Sequence, residues 1–243
     1  MSTVADQGAI RRAANNERLR MLAEYRRREL QIDAVRYAPW QPAVALERAS
    51  RLRTAAGLLR EAQAFPEPDD ACLEVGYGTS GWLADLLNWG VRASALHGIE
   101  LNELRAARAR AWLPAADLRV GDATAVPWPD GTFKLVVISN VVSSILDPEV
   151  RGQVCQEVAR VSQAGGAILW YDIRINNPGN PGVRSVSRAE LARLFPSCTP
   201  RWRTVTLVPE AARLIAPRSW LLAQALETIP FLRTHLIAVL AKP

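Results

Sequence analysis

Residues able to do chemistry gather in one part of this 243-residue chain. Leu73-Glu74-Val75-Gly76-Tyr77-Gly78-Thr79-Ser80-Gly81 places three glycines where a short apolar run gives way to an amphipathic one. Only glycine lets a backbone turn so sharply and come so close to a ligand, and a helix starting just beyond offers unpaired N–H groups. GYGTSG fits the dinucleotide-type string GxGxxG, although a glycine turn of this kind also joins strands to helices where no ligand binds. Glu100 follows Gly81 by nineteen residues, at the end of the next strand. A carboxylate there can accept hydrogen bonds from ribose hydroxyls. On these features NAD and S-adenosylmethionine (SAM) fit comparably.

Short apolar runs alternate with amphipathic segments to hold these residues in place. Strands are predicted at 71–75, 95–99, 117–121, 133–139 and 167–173, with helices at 80–88, 102–113 and about 147–162 between them. Such alternation implies a mostly parallel sheet with helices on both faces. The tail predicts a helix at 188–194, a strand at 202–207, helical stretches through 210–228 and a last strand at 234–241. Asn176–Val183 is too rich in Pro, Gly and Asn to be anything but a loop. Before residue 66 the texture differs. Helices are predicted over 10–35 and 43–64, broken at AVRYAPWQP (34–42), and FPEPDD (65–70) marks the boundary. Residues 1–66 therefore read as a helical extension or cap, and 67–243 as the main domain.

Two further motifs separate the cofactors. Gly121-Asp122-Ala123 closes the third strand, with an acid able to accept from an exocyclic adenine amine. Pro127-Trp128-Pro129-Asp130-Gly131-Thr132-Phe133 leads into the fourth strand, which ends at Ser139-Asn140. With these in order, residues 71–172 closely resemble the class I SAM-dependent methyltransferases, in particular the small-molecule branch. Glu157-Val158-Ala159-Arg160-Val161 and Ala164-Gly165-Gly166 resemble that family's helix and glycine turn before strand 5. The chain departs from the family at Ser80, where a third loop glycine is usual, and at Lys134, where Asp is usual. The resemblance implies a Rossmann-like α/β three-layer sandwich, with a mostly parallel seven-stranded sheet whose last strand is antiparallel. It further implies that SAM is bound, with S-adenosylhomocysteine (SAH) as product, and that no metal is needed. Carried over, Glu74, Gly76, Tyr77 and Gly78 would form the methionine-side loop. Glu100 and Leu101 would hold the ribose side, and Asp122 and Ala123 the adenine. Asn140 would line the junction between cofactor and acceptor.

For the acceptor side the sequence offers few bases. Alternation points His97 away from Glu100, and both His97 and His235 read as packing residues. By the carboxyl-edge rule, Tyr171-Asp172-Ile173-Arg174 should point into the crevice. That makes Asp172 the candidate proton acceptor, and Tyr171, Arg174 and Asn176 candidate substrate contacts; an internal ion pair is the alternative for Asp172 and Arg174. Tyr37 and Trp40, at the break between the first helices, are candidate lid residues. Methyl transfer to a hydroxyl needs chiefly alignment and removal of a proton.

Composition excludes several classes. Cys72, Cys155 and Cys198 form an odd, sparse set with no CxxC spacing, which argues against a disulfide scaffold or a cysteine zinc site. No run approaches 18 apolar residues, and the N-terminus lacks an apolar signal core. A cytoplasmic protein without stable membrane insertion is expected. The net charge of +6 sits mainly in residues 1–64, where 12 Arg face 7 acids. An RNA methyltransferase using that segment as a phosphate footprint is thus a rival, though aromatics are not interleaved with the arginines and strand 4 ends SNVVSS rather than in an NPPY-type tetrapeptide. Two further rivals are a SAM-bound enzyme catalysing a non-methylating cyclisation and an NAD-dependent reductase. The favoured reading is methylation of a hydroxyl on a sugar, glycolipid or secondary metabolite by a monomer or homodimer, with a small molecule rather than nucleic acid as substrate.

Overall fold

The computed structural model describes residues 4–31, 33–79, 81–176 and 179–243. Two helices come first, α1 (Val4–Gln31) and α2 (Pro42–Glu61). The sheet then begins with β1 (Cys72–Val75), α3 (Leu83–Asn88), β2 (Leu96–Glu100), α4 (Glu103–Trp112) and β3 (Asp117–Val120). It continues through β4 (Phe133–Ser139), α5 (Pro148–Val161), β5 (Ser162–Ile173) and α6 (Arg188–Leu194). The tail forms β6 (Thr199–Leu207), α7 (Pro209–Ile215), α8 (Trp220–Glu227) and β7 (Arg233–Ala241). Strand order is β3-β2-β1-β4-β5-β7-β6, with β7 antiparallel to both neighbours and the other pairs parallel. This is the expected mixed seven-stranded sheet.

Each sheet face has its own apolar layer. Leu73, Val136, Ile168 and Trp170 meet Met21 of α1, Val154 of α5 and Leu191 of α6 on one side. Cys72, Leu135, Leu169 and Tyr171 meet α2, α3 and α4 on the other. α2 also packs with α7 and α8 through Leu46, Ala212 and Ala223. Helix starts follow their caps: the Asn102 side chain accepts from Arg105 N–H, Asp147 from Glu149 and Val150 N–H, and Ser187 from Glu190 N–H.

Several boundaries differ from expectation, three of them for evident local reasons. α1 ends at Gln31 rather than 35, because Asp33 opens a separate 3₁₀ turn whose first free N–H, that of Val35, it caps. α3 starts at Leu83, after the glycine turn; Ser80 lies outside the described residues. β5 starts at Ser162 instead of 167. The glycine turn is absorbed as an irregularity, with the register shifting between Phe133↔Ser162 and Leu135↔Ala167. Gly165 there takes a φ of +70°, and Lys134, the departure from the family pattern, donates Nζ to the Gly165 carbonyl at 2.9 Å.

Gly98 on β2 leaves room for a neighbour. A Cβ at that position would stand 2.4 Å from Tyr77 Cδ1 and 2.8 Å from its Cε1. The Tyr77 ring is 1% exposed and fills this gap. Gly98→Ala is expected to lower stability by about 1–3 kcal/mol through overpacking, read as a lower urea midpoint. An unchanged midpoint would show that the ring moves freely.

Candidate functional site

One cavity of about 270 Å³ opens at the carboxyl ends of β1, β2 and β4. Gly76, Glu100, Leu101, Asp122, Ala123 and Asn140 all line it. Local geometry explains why they converge. Gly76 and Gly78 adopt φ of +74° and +61°, which turns the chain sharply off β1. Glu100 is 5% exposed; its Oε2 accepts from Gly78 N–H and its Oε1 from Asn102 N–H, both at 2.8 Å. Asp122 Oδ1 accepts from both the N–H and the hydroxyl of Thr124, at 2.9 and 2.8 Å, and holds the loop after β3. Asn140 takes a φ of +55° just past β4, a conformation Asn tolerates better than most residues.

Other members of the glycine segment stand behind this surface. Glu74 Oε2 accepts from Leu83 N–H at 2.9 Å, at the start of α3. A Cβ on Gly81 would lie 2.2 Å from Glu74 Oε1, so this glycine exists to admit the carboxyl. Tyr77 turns its side chain into the core, and its hydroxyl donates to the Arg119 carbonyl at 3.3 Å. The tyrosine expected in the cofactor loop therefore has a packing side chain, because Gly98 leaves a slot for it.

Burial pushes the Glu74 carboxyl up to about 8, against the opposing backbone N–H groups of Trp82 and Leu83. The folded protein keeps a proton there that the unfolded chain gives up near 4.5. This contribution to stability is complete below the unfolded value and is lost as pH rises towards 8. Glu74→Gln keeps an acceptor for Leu83 N–H and removes the titration. Between about pH 6.5 and pH 8.5 the wild-type urea midpoint should fall more than that of Glu74→Gln; parallel curves would refute this.

The acceptor-side residues are not brought to the cavity. Asp172 is 2% exposed, and its Oδ2 accepts from Ser143 N–H at 2.9 Å. Burial lifts its carboxyl to about 6, with bonds from Ser143 and Ile173 opposing. It anchors the turn after β4, which in turn sends Ser144 and Ile145 into the cavity. Tyr171 points to the opposite sheet face, where its hydroxyl donates to Glu47 at 3.1 Å and meets Thr206 Oγ1 at 2.7 Å. Arg174 donates to the Arg233 and Pro230 carbonyls, at 2.9 and 3.0 Å. Asn176 Oδ1 accepts from Ser185 N–H at 2.7 Å; Asn177 and Pro178 lie outside the described residues. The carboxyl-edge expectation fails here because β7 pairs with β5 as far as Ile173, so successive side chains enter two separate layers. Tyr37 and Trp40 are exposed on the linker after α1 and also miss the cavity.

What closes the cavity is α1, through Ala14, Glu17, Arg18, Met21, Tyr25 and Arg28. These positions form one stripe at helical spacing, the signal that sequence reading could have used. Arg105 of α4 spans the gap: its guanidinium lies 4.4 Å from the Tyr25 ring and reaches Glu29 at 3.2 Å. Burial raises the Tyr25 phenol, with Glu100 adding to the effect, so Tyr25 faces the cavity as a hydrogen-bond donor. His97 packs edge-on against Trp128 and Phe133. His235 stacks on Tyr171 at 4.7 Å, and burial lowers it to about 4.

Strand order, glycine turn and paired acids together make this cavity the candidate nucleoside-cofactor site. Residues 72–166 match the family described as the methyltransferase domain. Phthiotriol/phenolphthiotriol dimycocerosates methyltransferase of Mycobacterium tuberculosis is 34% identical over 107 residues, covering 43% of this chain and 38% of that protein. Phosphatidylethanolamine N-methyltransferase of Cereibacter sphaeroides is 37% identical over 103 residues, 40% of this chain and 47% of that protein. The matches thus span less than half the length of these curated relatives. Among solved structures, geranyl diphosphate C-methyltransferase from Streptomyces coelicolor aligns with a TM-score of 0.59 at 16% identity, over 79% of this chain and 77% of that one. The cyclase SpnF aligns at 0.56 and 17% identity, over 79% and 81%. Likeness at that identity shows the fold. Residues 72–166 thus match a methyltransferase domain, on a fold shared with class I SAM-dependent methyltransferases.

The cavity suits SAM by its donor set. Two carboxylates on neighbouring strand ends match the hydroxyls and amine of a nucleoside, and positive-φ glycines allow close backbone approach. Among the described residues there is no group of three or more His, Cys, Asp or Glu placed to hold a metal ion, and no helix is long and apolar enough to cross a membrane.

Proposed function

We propose that this protein transfers a methyl group from SAM to a small-molecule acceptor, a hydroxyl of a sugar, glycolipid or secondary metabolite. When bound, SAM supplies an electrophilic methyl on a sulfonium, so the task left to the chain is alignment and exclusion of water. Glu100 and Asp122 would hold the nucleoside, Gly76 and Gly78 would admit the amino-acid end, and Asn140 would border the acceptor. The carrying observation is the roof over the cavity: α1 closes it with Ala14, Met21 and Tyr25, facing Ile145, Val150 and Val154. Such an enclosed, half-apolar space fits a small molecule. Five of the twelve N-terminal arginines meanwhile have acidic partners. Arg20 pairs with Glu17, Arg27 and Arg28 with Glu24, and Arg48 and Arg51 with Asp85. That leaves fewer cations for an RNA backbone than the charge count suggested.

The test supplies SAM labelled in its methyl group together with separate pools of small metabolites, glycolipids and RNA. Formation of SAH with label in a small-molecule or glycolipid product is expected. Label in RNA, or tight SAM binding with no SAH from any pool, would overturn the proposal; the second result would favour the non-methylating alternative.

A further inference from the structure

A second concavity of about 170 Å³ lies on the other side of the sheet, between α2, the β6 edge and the end of α8. None of its lining residues lines the first cavity. Three arginines meet there: Arg53 from α2, Arg203 from β6 and Arg233 at the start of β7. Arg233 is held by neutral groups. It donates Nε to the Glu227 carbonyl at 2.5 Å, Nη1 to the Thr204 carbonyl at 3.1 Å and Nη2 to the Thr228 carbonyl at 2.9 Å. These bonds fix the guanidinium without neutralising it. Arg53 is exposed and has neither an ion pair nor a hydrogen bond among the described residues. Arg203 shares Glu61 at 3.2 Å, with both side chains about half exposed (54% and 47%), a pair that solvent weakens.

Hydroxyls complete the lining. Ser50 of α2 lines this space, and its hydroxyl makes no hydrogen bond among the described residues. A serine hydroxyl there can donate to an anion held in the cleft. Glu227 is the one acid in the lining, and its Oε1 is occupied by Thr206 N–H at 2.8 Å. Thr206 holds that position with a φ of +69°, a strained conformation for a β-branched residue. The acid is thereby tied back to the β6 backbone while the guanidinium groups remain at the cleft.

We propose that this cleft binds a phosphate-type oxyanion, with Arg53 and Arg233 supplying charge and Ser50 a hydroxyl donor. Fork-shaped guanidinium donors match tetrahedral oxyanions, and charge-assisted bonds of this kind are the strong ones. The oxyanion can come from a free phosphate or from a lipid headgroup. Leu221, one helical turn before Gln224, is 77% exposed, and Phe231, two residues before Arg233, is 74% exposed. A vesicle arm is therefore part of the test.

Inorganic phosphate is titrated into the full chain and followed by ³¹P line broadening. Saturable binding is expected, weakened at least about tenfold in Arg53→Glu and clearly weakened in Ser50→Ala. Both variants leave the Arg233 bonds in place, and melting curves verify that they fold. Co-sedimentation with phosphatidylglycerol vesicles but not phosphatidylcholine vesicles, lost in Arg53→Glu, would assign the oxyanion to a lipid headgroup; saturable phosphate binding without co-sedimentation would assign it to a free phosphate. Absence of both phosphate and vesicle binding, or binding equal in wild type and Arg53→Glu, would overturn the proposal.

Discussion

Replacing Glu100 by alanine is expected to weaken SAM and SAH binding at least about a hundredfold, which corresponds to about 2.7 kcal/mol. Two effects add. The carboxylate accepts Gly78 N–H and Asn102 N–H, so it ties the glycine turn after β1 to the end of β2. Each such charge-assisted bond is worth about 1.5–3 kcal/mol, and its loss leaves a backbone donor unpaired at the cavity wall. Alanine also removes the group assigned to the ribose hydroxyls. Calorimetric titration of the purified chain with SAM and SAH reads the result. Glu100→Gln, which retains one acceptor oxygen, should fall between the two. An alanine variant that binds within threefold of wild type would remove Glu100 from the site.

Glu17→Ala should have the second largest effect, by loosening the roof. Glu17 is 7% exposed and accepts from Arg20 Nε and Nη2, at 3.0 and 2.7 Å, and from Leu146 N–H at 2.5 Å. Arg20 also donates to the Ser144 carbonyl. This cluster pins α1 to the turn after β4. Burial alone would raise the Glu17 carboxyl, but the bonds from Arg20 and Leu146 outweigh it and hold it below the usual 4.5. Its contribution is therefore present above the unfolded value and is lost as pH falls through the lowered folded one. With a charge-assisted bond worth about 1.5–3 kcal/mol, the alanine variant should lose about tenfold in SAM affinity. Cleavage within α1 by a dilute protease should accelerate in parallel. Unchanged cleavage and unchanged affinity together would mean that the apolar contacts of Met21 hold the helix unaided.

The two variants separate two roles. Glu100 belongs to the sheet and would cost affinity whether or not α1 is seated. Glu17 acts through the position of α1, so its loss should be milder and accompanied by exposure of the helix.

Much of the cavity wall was legible in the sequence, and the reason is local. β4 and α6 lie at the residues their patterns indicated, Phe133–Ser139 and Arg188–Leu194, because a continuous apolar run and a Ser187 cap need no distant information. Gly76, Glu100 and Asp122 end up on one cavity because parallel strands bring successive carboxyl ends to the same edge. The acceptor side was not legible in this way. Tyr171, Asp172 and Arg174 share a strand end, yet β7 pairs alongside them and sends one to Glu47, one to Ser143 and one to the carbonyls of Pro230 and Arg233.

The same distinction holds for charge and for the roof. A count of arginines says nothing of their partners; Asp85, buried on α3, takes up Arg48 and Arg51 across more than thirty residues of chain. The stripe of Ala14, Met21 and Tyr25 was visible as helical spacing, but nothing in a helix states which surface it will cover. Local propensity and strand-end chemistry could be read directly along this chain, since each depends on neighbours a few residues away. Which face a strand-end side chain takes, which arginines are neutralised and where α1 lies depend on contacts between distant segments, and packing alone selects those.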